Sequence, residues 1–449
     1  MHMKPTHDII KKYFRTIEVP DDLSDITTIG PGETDPIESD MTEADVDAIW
    51  KSVEALYKTG VYPGISLSLR RQGNLIINRA IGHSHGNGPQ DLENTAKRLM
   101  SPDTPVCQFS ASKAVTAMVI HLLAERRILR LDNPVAFYIP EFAANGKGKV
   151  TIRDLLSHRG GIPLTPRNTN PEILFNPEAF AEMICRLKPS SAGGKKMAYH
   201  AITGGAVLGE LVARTTGMNI KEFLAIEIQK PLGFQYFNYG VRNRDIEKVA
   251  INYSTGPPLV FPFSAIAARA LGATWDYVVR ISNDPRFLKT IIPSANLVAT
   301  ADEMCRFFQM MLNRGELDGV RIFKPKTIDE AVRPCGRMGI DRTMIIPMRY
   351  SAGLMLGADP VGMWGPFSGS AFGHVGFIHI LCWADPSRKI SVSLQTTGKS
   401  LMGRHVSALA GFLAAVGRHC RIEDEGRASK HNGFSPALLI ESAFKRLLL

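Results

Sequence analysis

The alternating apolar pattern that predicts β-strands occurs near both ends of this chain, and a helical middle separates the two regions. Residues 65–78 alternate on either side of a turn at residues 72–74, which predicts a β-hairpin. Further strands are predicted at residues 351–356, 371–382 and 390–395. This distribution indicates one sheet built from both chain ends, with a helical domain inserted between its two parts.

Apolar residues at helical spacing dominate the segment between these strands and also flank it. Helices are predicted at residues 42–58, 114–129, 151–156, 204–212, 301–312 and 404–418. Thr42 or Asp40 can cap the first of them. Residues 250–292 are rich in proline and aromatic side chains, and we expect loops or a cap over a pocket there.

The predicted fold class is therefore α/β (α+β): an antiparallel sheet flanked by helices, with an inserted, mainly helical domain. The predicted segments are an extended N-terminal arm (1–40), a discontinuous sheet domain (41–105 plus 293–420), a helical domain with cap loops (106–292) and a C-terminal extension (421–449). The last stretch, 436–449, has the pattern of an amphipathic helix. We expect a functional pocket at the junction of the sheet and helical domains.

Composition and charge exclude several classes of protein. No stretch approaches the roughly 18 uncharged apolar residues that span a bilayer, so no membrane span is expected. The 53 Lys and Arg residues exceed the 43 Asp and Glu residues, but they are scattered in pairs without interleaved aromatics, so we expect no nucleic-acid partner. The excess of basic residues is also compatible with an anionic substrate.

The spacing of the cysteines bears on metals and cofactors, and the N-terminal residues bear on the location of the protein. The six cysteines include no Cys-x-x-Cys pair and the sequence carries no metal or dinucleotide motif, so we expect neither a metal nor a cofactor. The first residues lack the apolar core of a signal peptide, which predicts a cytoplasmic location. The sequence does not indicate an oligomeric state.

Three familiar catalytic patterns do not fit their surroundings. Residues 82–86 match Gly-x-Ser-x-Gly around Ser84, but the nucleophile elbow needs a helix directly after the serine, and Gly88-Pro89 follows instead. Asp154 and His158 could orient one another towards Ser157, an arrangement we consider less favoured than a structural one. Ser442 begins a Ser-x-x-Lys match near the C-terminus with no supporting motif around it.

A second Ser-x-x-Lys, from Ser110 to Lys113, has a persuasive context. On a helix, residues three apart share a face, so the lysine amine lies beside the serine hydroxyl and can ease removal of its proton. The motif follows a proline-containing loop and opens an apolar helix. Downstream, in order, come residues 151–163, Tyr199-His200-Ala201, residues 294–302 and Gly373-His374-Val375-Gly376-Phe377.

With these motifs, the chain resembles the serine β-lactamase and penicillin-binding-protein superfamily over residues 42–418. The nearest branch is that of class C β-lactamases, DD-peptidases and family VIII carboxylesterases. The resemblance implies that Ser110 is the acylated nucleophile, Lys113 its activator and Tyr199 the proton shuttle to the leaving group. It further implies an oxyanion hole made by the backbone N–H groups of Ser110 and Phe377.

The resemblance also implies where substrate binds, and the chain departs from the family pattern there. Substrate-binding positions are expected at His374, Gly376, His200 and Trp364, with aromatic core an equal alternative for Trp364. Ala201 stands where the Tyr-x-Asn motif has asparagine, and His374 stands where Lys-Thr-Gly has lysine. These two changes remove an amide and a fixed charge from the site.

Both departures favour ester substrates over amides. We therefore expect a serine hydrolase that acts on a small-molecule ester or amide, with a carboxylesterase of small to medium esters favoured. The alternatives are a β-lactamase, a D-amino-acid peptidase or an acyltransferase of the same fold. A catalytically silent homologue would have no need for Ser110, Lys113 and Tyr199 together.

Overall fold

A computed structural model describes residues 13–166 and 169–422 of the chain. Its α-helices are α1 (Glu43–Tyr57), α2 (Ser112–Glu125), α3 (Ile152–Leu156), α4 (Pro177–Cys185), α5 (Thr203–Thr216), α6 (Ile220–Leu224), α7 (Phe263–Leu271), α8 (Trp275–Ile281), α9 (Pro285–Lys289), α10 (Ala301–Leu312), α11 (Pro325–Ala331) and α12 (His405–His419). Among the helices within these described ranges, none combines the length and apolar character needed to cross a membrane.

The strands of the described chain include a large antiparallel sheet and several small ones. The strands of the large sheet and its short branch are β1 (Thr27–Ile29), β2 (Gly64–Arg71), β3 (Asn74–His85), β4 (Arg98–Leu99), β13 (Met355–Leu356), β16 (Phe372–Gly376), β17 (Ile380–Asp385) and β18 (Ile390–Thr396). The short strands elsewhere are β5 (Val106–Cys107), β6 (Asn238–Tyr239), β7 (Tyr253–Ser254), β8 (Leu297–Ala299), β9 (Glu316–Leu317), β10 (Val320–Arg321), β11 (Gly339–Ile340), β12 (Pro347–Met348), β14 (Val361–Gly362), β15 (Gly365–Pro366) and β19 (Gly398–Lys399).

The large sheet joins the two chain ends, as the sequence predicts. Its strand order is β1-β3-β2-β18-β17-β16-β13, and the junction between the ends is the antiparallel pair β2–β18, with Leu67 opposite Leu394. This pairing confirms the predicted fold class. The domain boundaries given above stay predictions.

Helices cover both faces of this sheet, so the side chains on both faces of its central strands are mostly buried. Along β17, Leu381 and Trp383 lie in the buried cluster that includes residues of α1 and α12, while Cys382 and Ala384 lie in the cluster that includes α10. Successive side chains of a strand point to opposite faces, so α10 packs on one face and α1 with α12 on the other.

Part of the predicted N-terminal arm packs as an edge strand. Within the described part of residues 1–40, β1 pairs antiparallel with β3, and the nearby side chains Leu23 and Ile26 are buried. A three-residue strand is too short to give a detectable alternation, so the sequence pattern missed it.

Two other segments differ from the sequence-based expectation. The predicted strand at 371–382 is two strands, β16 and β17, separated by a turn at residues 377–379. Phe377 and Ile378 in this turn are apolar like the strands, so composition does not reveal the break. The predicted loops at 250–292 contain α7, α8 and α9. The predicted helix at 436–449 lies outside the described residues.

Candidate active site

Ser110 lies where a short strand turns into a buried helix. The 3-10 turn Phe109–Ala111 links β5 to α2, and residues 112–123 of α2 are all buried. A helix that is apolar on every side belongs inside a protein rather than on its surface. Phe109, just before the serine, has φ of +44°, a backbone conformation that side chains other than glycine rarely adopt and that is common at functional sites.

The Lys113 amine lies beside the Ser110 hydroxyl, one helical turn along the same face. Its Nζ donates hydrogen bonds to Ser110 Oγ at 3.1 Å and to the Ser294 carbonyl oxygen at 2.8 Å. Burial lowers the pKa of this amine well below its usual value, because the charged form loses hydration. A lowered pKa makes the neutral amine, which can accept a proton, accessible at lower pH.

The Tyr199 side chain also approaches the Ser110 side chain and interacts with it. The tyrosine is buried, and its ring centroid is 5.0 Å from Lys113 Nζ. Burial is the main cause that raises the pKa of Tyr199 above its usual value, so the phenol keeps its proton at neutral pH. The structure therefore brings together Ser110, Lys113 and Tyr199.

A buried carboxylate holds the backbone of Tyr199, and the sequence patterns gave no indication of it. Asp341 Oδ1 accepts the Tyr199 N–H at 3.1 Å, and Asp341 Oδ2 accepts the Tyr350 hydroxyl at 3.1 Å. The His158 ring packs against the rings of Tyr199 and Tyr350, with centroids 4.5 and 4.8 Å apart. Asp341 is distant in sequence from every motif, so only the fold places it beside Tyr199.

His374 points into the same region as a neutral imidazole. Its Nδ1 lies 2.8 Å from the Val375 carbonyl oxygen, so Nδ1 carries the proton, and its ring centroid is 6.2 Å from that of Tyr199. Burial, and secondarily the Lys113 charge, lowers the pKa of His374 to about 3. The position that carries lysine in the family pattern therefore supplies no positive charge at neutral pH.

The end of β16 approaches the serine loop closely. A Cβ on Gly376 would lie 2.2 Å from the Gln108 carbonyl oxygen, so only glycine permits this approach. The next residue, Phe377, has φ of +35° and stacks on Phe109 at 5.0 Å and on Trp275 at 4.6 Å. Among the described residues, no backbone oxygen accepts from the N–H of Ser110 or Phe377.

A cavity opens beside this group of residues. Ser110, Ala201 and Phe377 line it together with side chains of the helical domain. Within residues 13–166 and 169–422 there is no cluster of three or more His, Cys, Asp or Glu side chains suited to a metal ion.

A family model described as Beta-lactamase matches residues 49–415, which is most of the chain. This chain belongs to the Beta-lactamase family. Together with the fold, the match makes it a serine hydrolase of the Beta-lactamase fold.

Relatives and solved structures of this family agree with the assignment. The chain is 28% identical over 352 residues to Esterase/beta-lactamase LipL of Mycobacterium tuberculosis, covering 75% of this chain and 78% of the relative. It resembles the structure of a penicillin-binding-protein homologue from Caulobacter crescentus, with TM-score 0.71 and 26% identity, covering 83% of this chain and 96% of the other. The structure of a family VIII carboxylesterase has TM-score 0.71 and 23% identity, covering 84% of this chain and 98% of the other.

Two predicted substrate-binding residues of this Beta-lactamase family member make contacts typical of the protein interior. His200 Nε2 accepts the Ile162 N–H at 3.2 Å. Trp364 donates its indole N–H to the Met355 carbonyl oxygen at 3.2 Å and stacks on Trp383 at 5.6 Å. Neither is among the described residues that line the cavity beside Ser110. We therefore base no substrate contact on His200 or Trp364.

The rival serine motifs serve the structure of the Beta-lactamase fold instead. Ser84 lies buried within β3, with no helix after it, and its hydroxyl donates to the Arg98 carbonyl oxygen at 3.3 Å. In the Ser157 segment, Asp154 caps α3 through the Thr151 N–H, and the Ser157 hydroxyl donates to the Arg153 carbonyl oxygen at 2.8 Å. No Ser-His-Asp relay is formed there. Ser442 lies outside the described residues.

Proposed function

We propose that this chain is a carboxylesterase that acts through an acyl-serine intermediate on Ser110. The ester preference rests on one observation: the group around Ser110 offers a neutral His374 and a small Ala201 where amide-directed relatives would need a charge and an amide donor. An ester needs less proton donation to its leaving group than an amide does, because an alkoxide or phenolate leaves more readily than an amine.

In the proposed acylation step, Ser110 Oγ attacks the ester carbonyl carbon while its proton passes to the neutral Lys113 amine. The carbonyl oxygen becomes an oxyanion, which the backbone N–H groups of Ser110 and Phe377 stabilise. The C–O bond to the leaving group then breaks. Tyr199 donates its proton to the departing alkoxide and recovers one from the Lys113 ammonium, so the alcohol leaves and Ser110 carries the acyl group.

Deacylation repeats these roles with water as the nucleophile. The water oxygen attacks the acyl carbon, and its proton passes to the lysine–tyrosine pair. The same two N–H groups hold the second oxyanion. The carboxylic acid leaves as Ser110 Oγ regains a proton, so one ester and one water give one acid and one alcohol.

A second candidate, β-lactam hydrolysis by the same acyl-serine route, has support from one relative whose name covers both activities. The two functions differ in how much proton donation the leaving group requires. They also differ in whether the site must bind a substrate carboxylate. The Ala201 and His374 positions disfavour the β-lactam on both counts.

We expect p-nitrophenyl butanoate to be hydrolysed at least about a hundredfold more efficiently than a chromogenic cephalosporin. That ratio corresponds to roughly 2.7 kcal/mol in transition-state binding. Both substrates should be assayed on one preparation by kcat/KM, with the Ser110→Ala variant as the blank. Equal or faster cephalosporin turnover would contradict the esterase proposal and favour a β-lactamase.

A further inference from the structure

The described wall of the cavity beside Ser110 is mainly apolar. Among its described lining residues there is no Asp, Glu, Lys, Arg or His. Most of the wall comes from two stretches of the chain, residues 165–180 and 271–295. Representative side chains are Ile173, Leu174 and Phe180 from one segment and Leu271, Val278 and Phe287 from the other. Such a wall stabilises hydrocarbon and penalises a charged group that loses its hydration there.

The described wall of the cavity includes Ser110 but none of the proposed proton-transfer groups. Ser110 and Phe377, the proposed oxyanion-hole residues, line it, but Lys113, Tyr199 and His374 are not among its described lining residues. The leaving group must lie next to Tyr199 to receive its proton. The part of the substrate that enters the cavity is then the acyl chain rather than the alcohol.

Three alanines form part of the cavity wall. Ala201, Ala273 and Ala295 line the cavity, and each is half-buried. Ala201 is the third residue of the tyrosine motif, so the substitution that removes the asparagine amide also leaves apolar space directly beside Ser110. One residue change thus both lowers the affinity for amides and admits a hydrocarbon chain.

We infer that this cavity is an acyl-chain pocket and that the preferred substrates are esters of uncharged, medium-chain fatty acids rather than acetates. This inference rests on the proposed esterase function. Each methylene transferred from water to an apolar wall contributes about fourfold in binding. If the wall binds the chain in the transition state, kcat/KM rises with acyl length until the pocket is filled.

The direct test is a series of p-nitrophenyl esters from acetate through butanoate and hexanoate to octanoate. We expect kcat/KM to rise at least about tenfold from acetate to hexanoate. A profile that is flat or falls with length would overturn the pocket assignment while leaving the esterase proposal intact. No Ser110-dependent turnover of any ester, acetate included, would overturn both.

The side of the ester that enters the pocket needs its own measurement. Hexyl acetate and ethyl hexanoate carry the long chain on opposite sides of the same bond. We expect ethyl hexanoate to be the better substrate by at least about tenfold. The reverse preference would mean that the cavity holds the alcohol and would overturn the acyl assignment.

A pair of tryptophan substitutions tests the pocket wall itself. Ala273→Trp fills the cavity, and we expect it to lower the ratio of hexanoate to acetate kcat/KM by at least about tenfold. Ala265→Trp places the same side chain on an exposed position of α7 that does not line the cavity, and should leave that ratio as it is.

A variant with an enlarged pocket should give the opposite change. It also keeps the proposal testable if the Ala273→Trp protein does not fold. Ile173→Ala removes methyl and methylene groups from the wall, so the preferred acyl chain should become longer. Circular dichroism on each variant checks that it is folded. If folded Ala273→Trp and Ile173→Ala proteins both keep the wild-type length profile, the cavity does not bind the acyl chain.

Discussion

Replacing Ser110 with alanine is expected to reduce ester turnover to the uncatalysed background, a loss on the order of 10⁴–10⁶ in kcat. The reason is that no other nucleophile in the described site lies next to both Lys113 and Tyr199. The measurement is the initial rate of p-nitrophenyl ester hydrolysis at saturating substrate, with protein folding checked by circular dichroism.

Two serine variants serve as controls for this result. Ser84→Ala removes a buried hydroxyl whose hydrogen-bond partners are two backbone oxygens of the neighbouring strand and the His85 ring, and Ser442→Ala alters the second Ser-x-x-Lys match. Both proteins should retain most of their activity. If Ser84→Ala were inactive and Ser110→Ala active, the nucleophile-elbow interpretation of residues 82–86 would be correct instead.

The Tyr199→Phe variant is expected to lose a factor on the order of 10²–10⁴ in kcat, the usual contribution of a positioned proton donor. The substitution keeps the ring and its contact with His158 but removes the hydroxyl that interacts with Ser110. The loss should be larger for ethyl esters than for p-nitrophenyl esters, because an alkoxide needs protonation more than a nitrophenolate does. Steady-state kinetics on both substrates measure the two losses.

Tyr57→Phe is the matched control for this prediction. Tyr57 is likewise buried, but it lies in α1 and its hydroxyl has no hydrogen-bond partner among the described residues. We expect this variant to keep near wild-type rates on both esters. Equal losses on ethyl and p-nitrophenyl esters in Tyr199→Phe would argue that the tyrosine acts on the structure of the site and not as a proton donor.

The parts of this molecule that follow local rules could be predicted from the sequence. Ser110 and Lys113 lie three residues apart, and helix geometry alone places the amine beside the hydroxyl. The pairing of both chain ends follows from the positions of the alternating runs. The bounds predicted for α10, residues 301–312, match those of the structure.

The parts that depend on long-range contacts could not be predicted from local patterns. The family motif identifies Tyr199, but Asp341, which accepts its backbone N–H, lies between β11 and β12 and belongs to no motif. The turn at residues 377–379 begins with Phe377 and Ile378, which are apolar like the strands around it, so local composition does not reveal its position. The loss of a fixed charge at His374 follows from the sequence, whereas the burial that lowers the pKa of His374 appears only in the folded chain.

The most direct test of the central claim is to trap the acyl-enzyme and locate it. The wild-type protein is mixed with excess p-nitrophenyl butanoate, quenched in acid within the first turnovers, digested and analysed by mass spectrometry. The account predicts a butanoyl adduct on the peptide that contains Ser110, and none on that peptide in the Ser110→Ala protein. An adduct on another residue, or undiminished ester hydrolysis by Ser110→Ala, would contradict it.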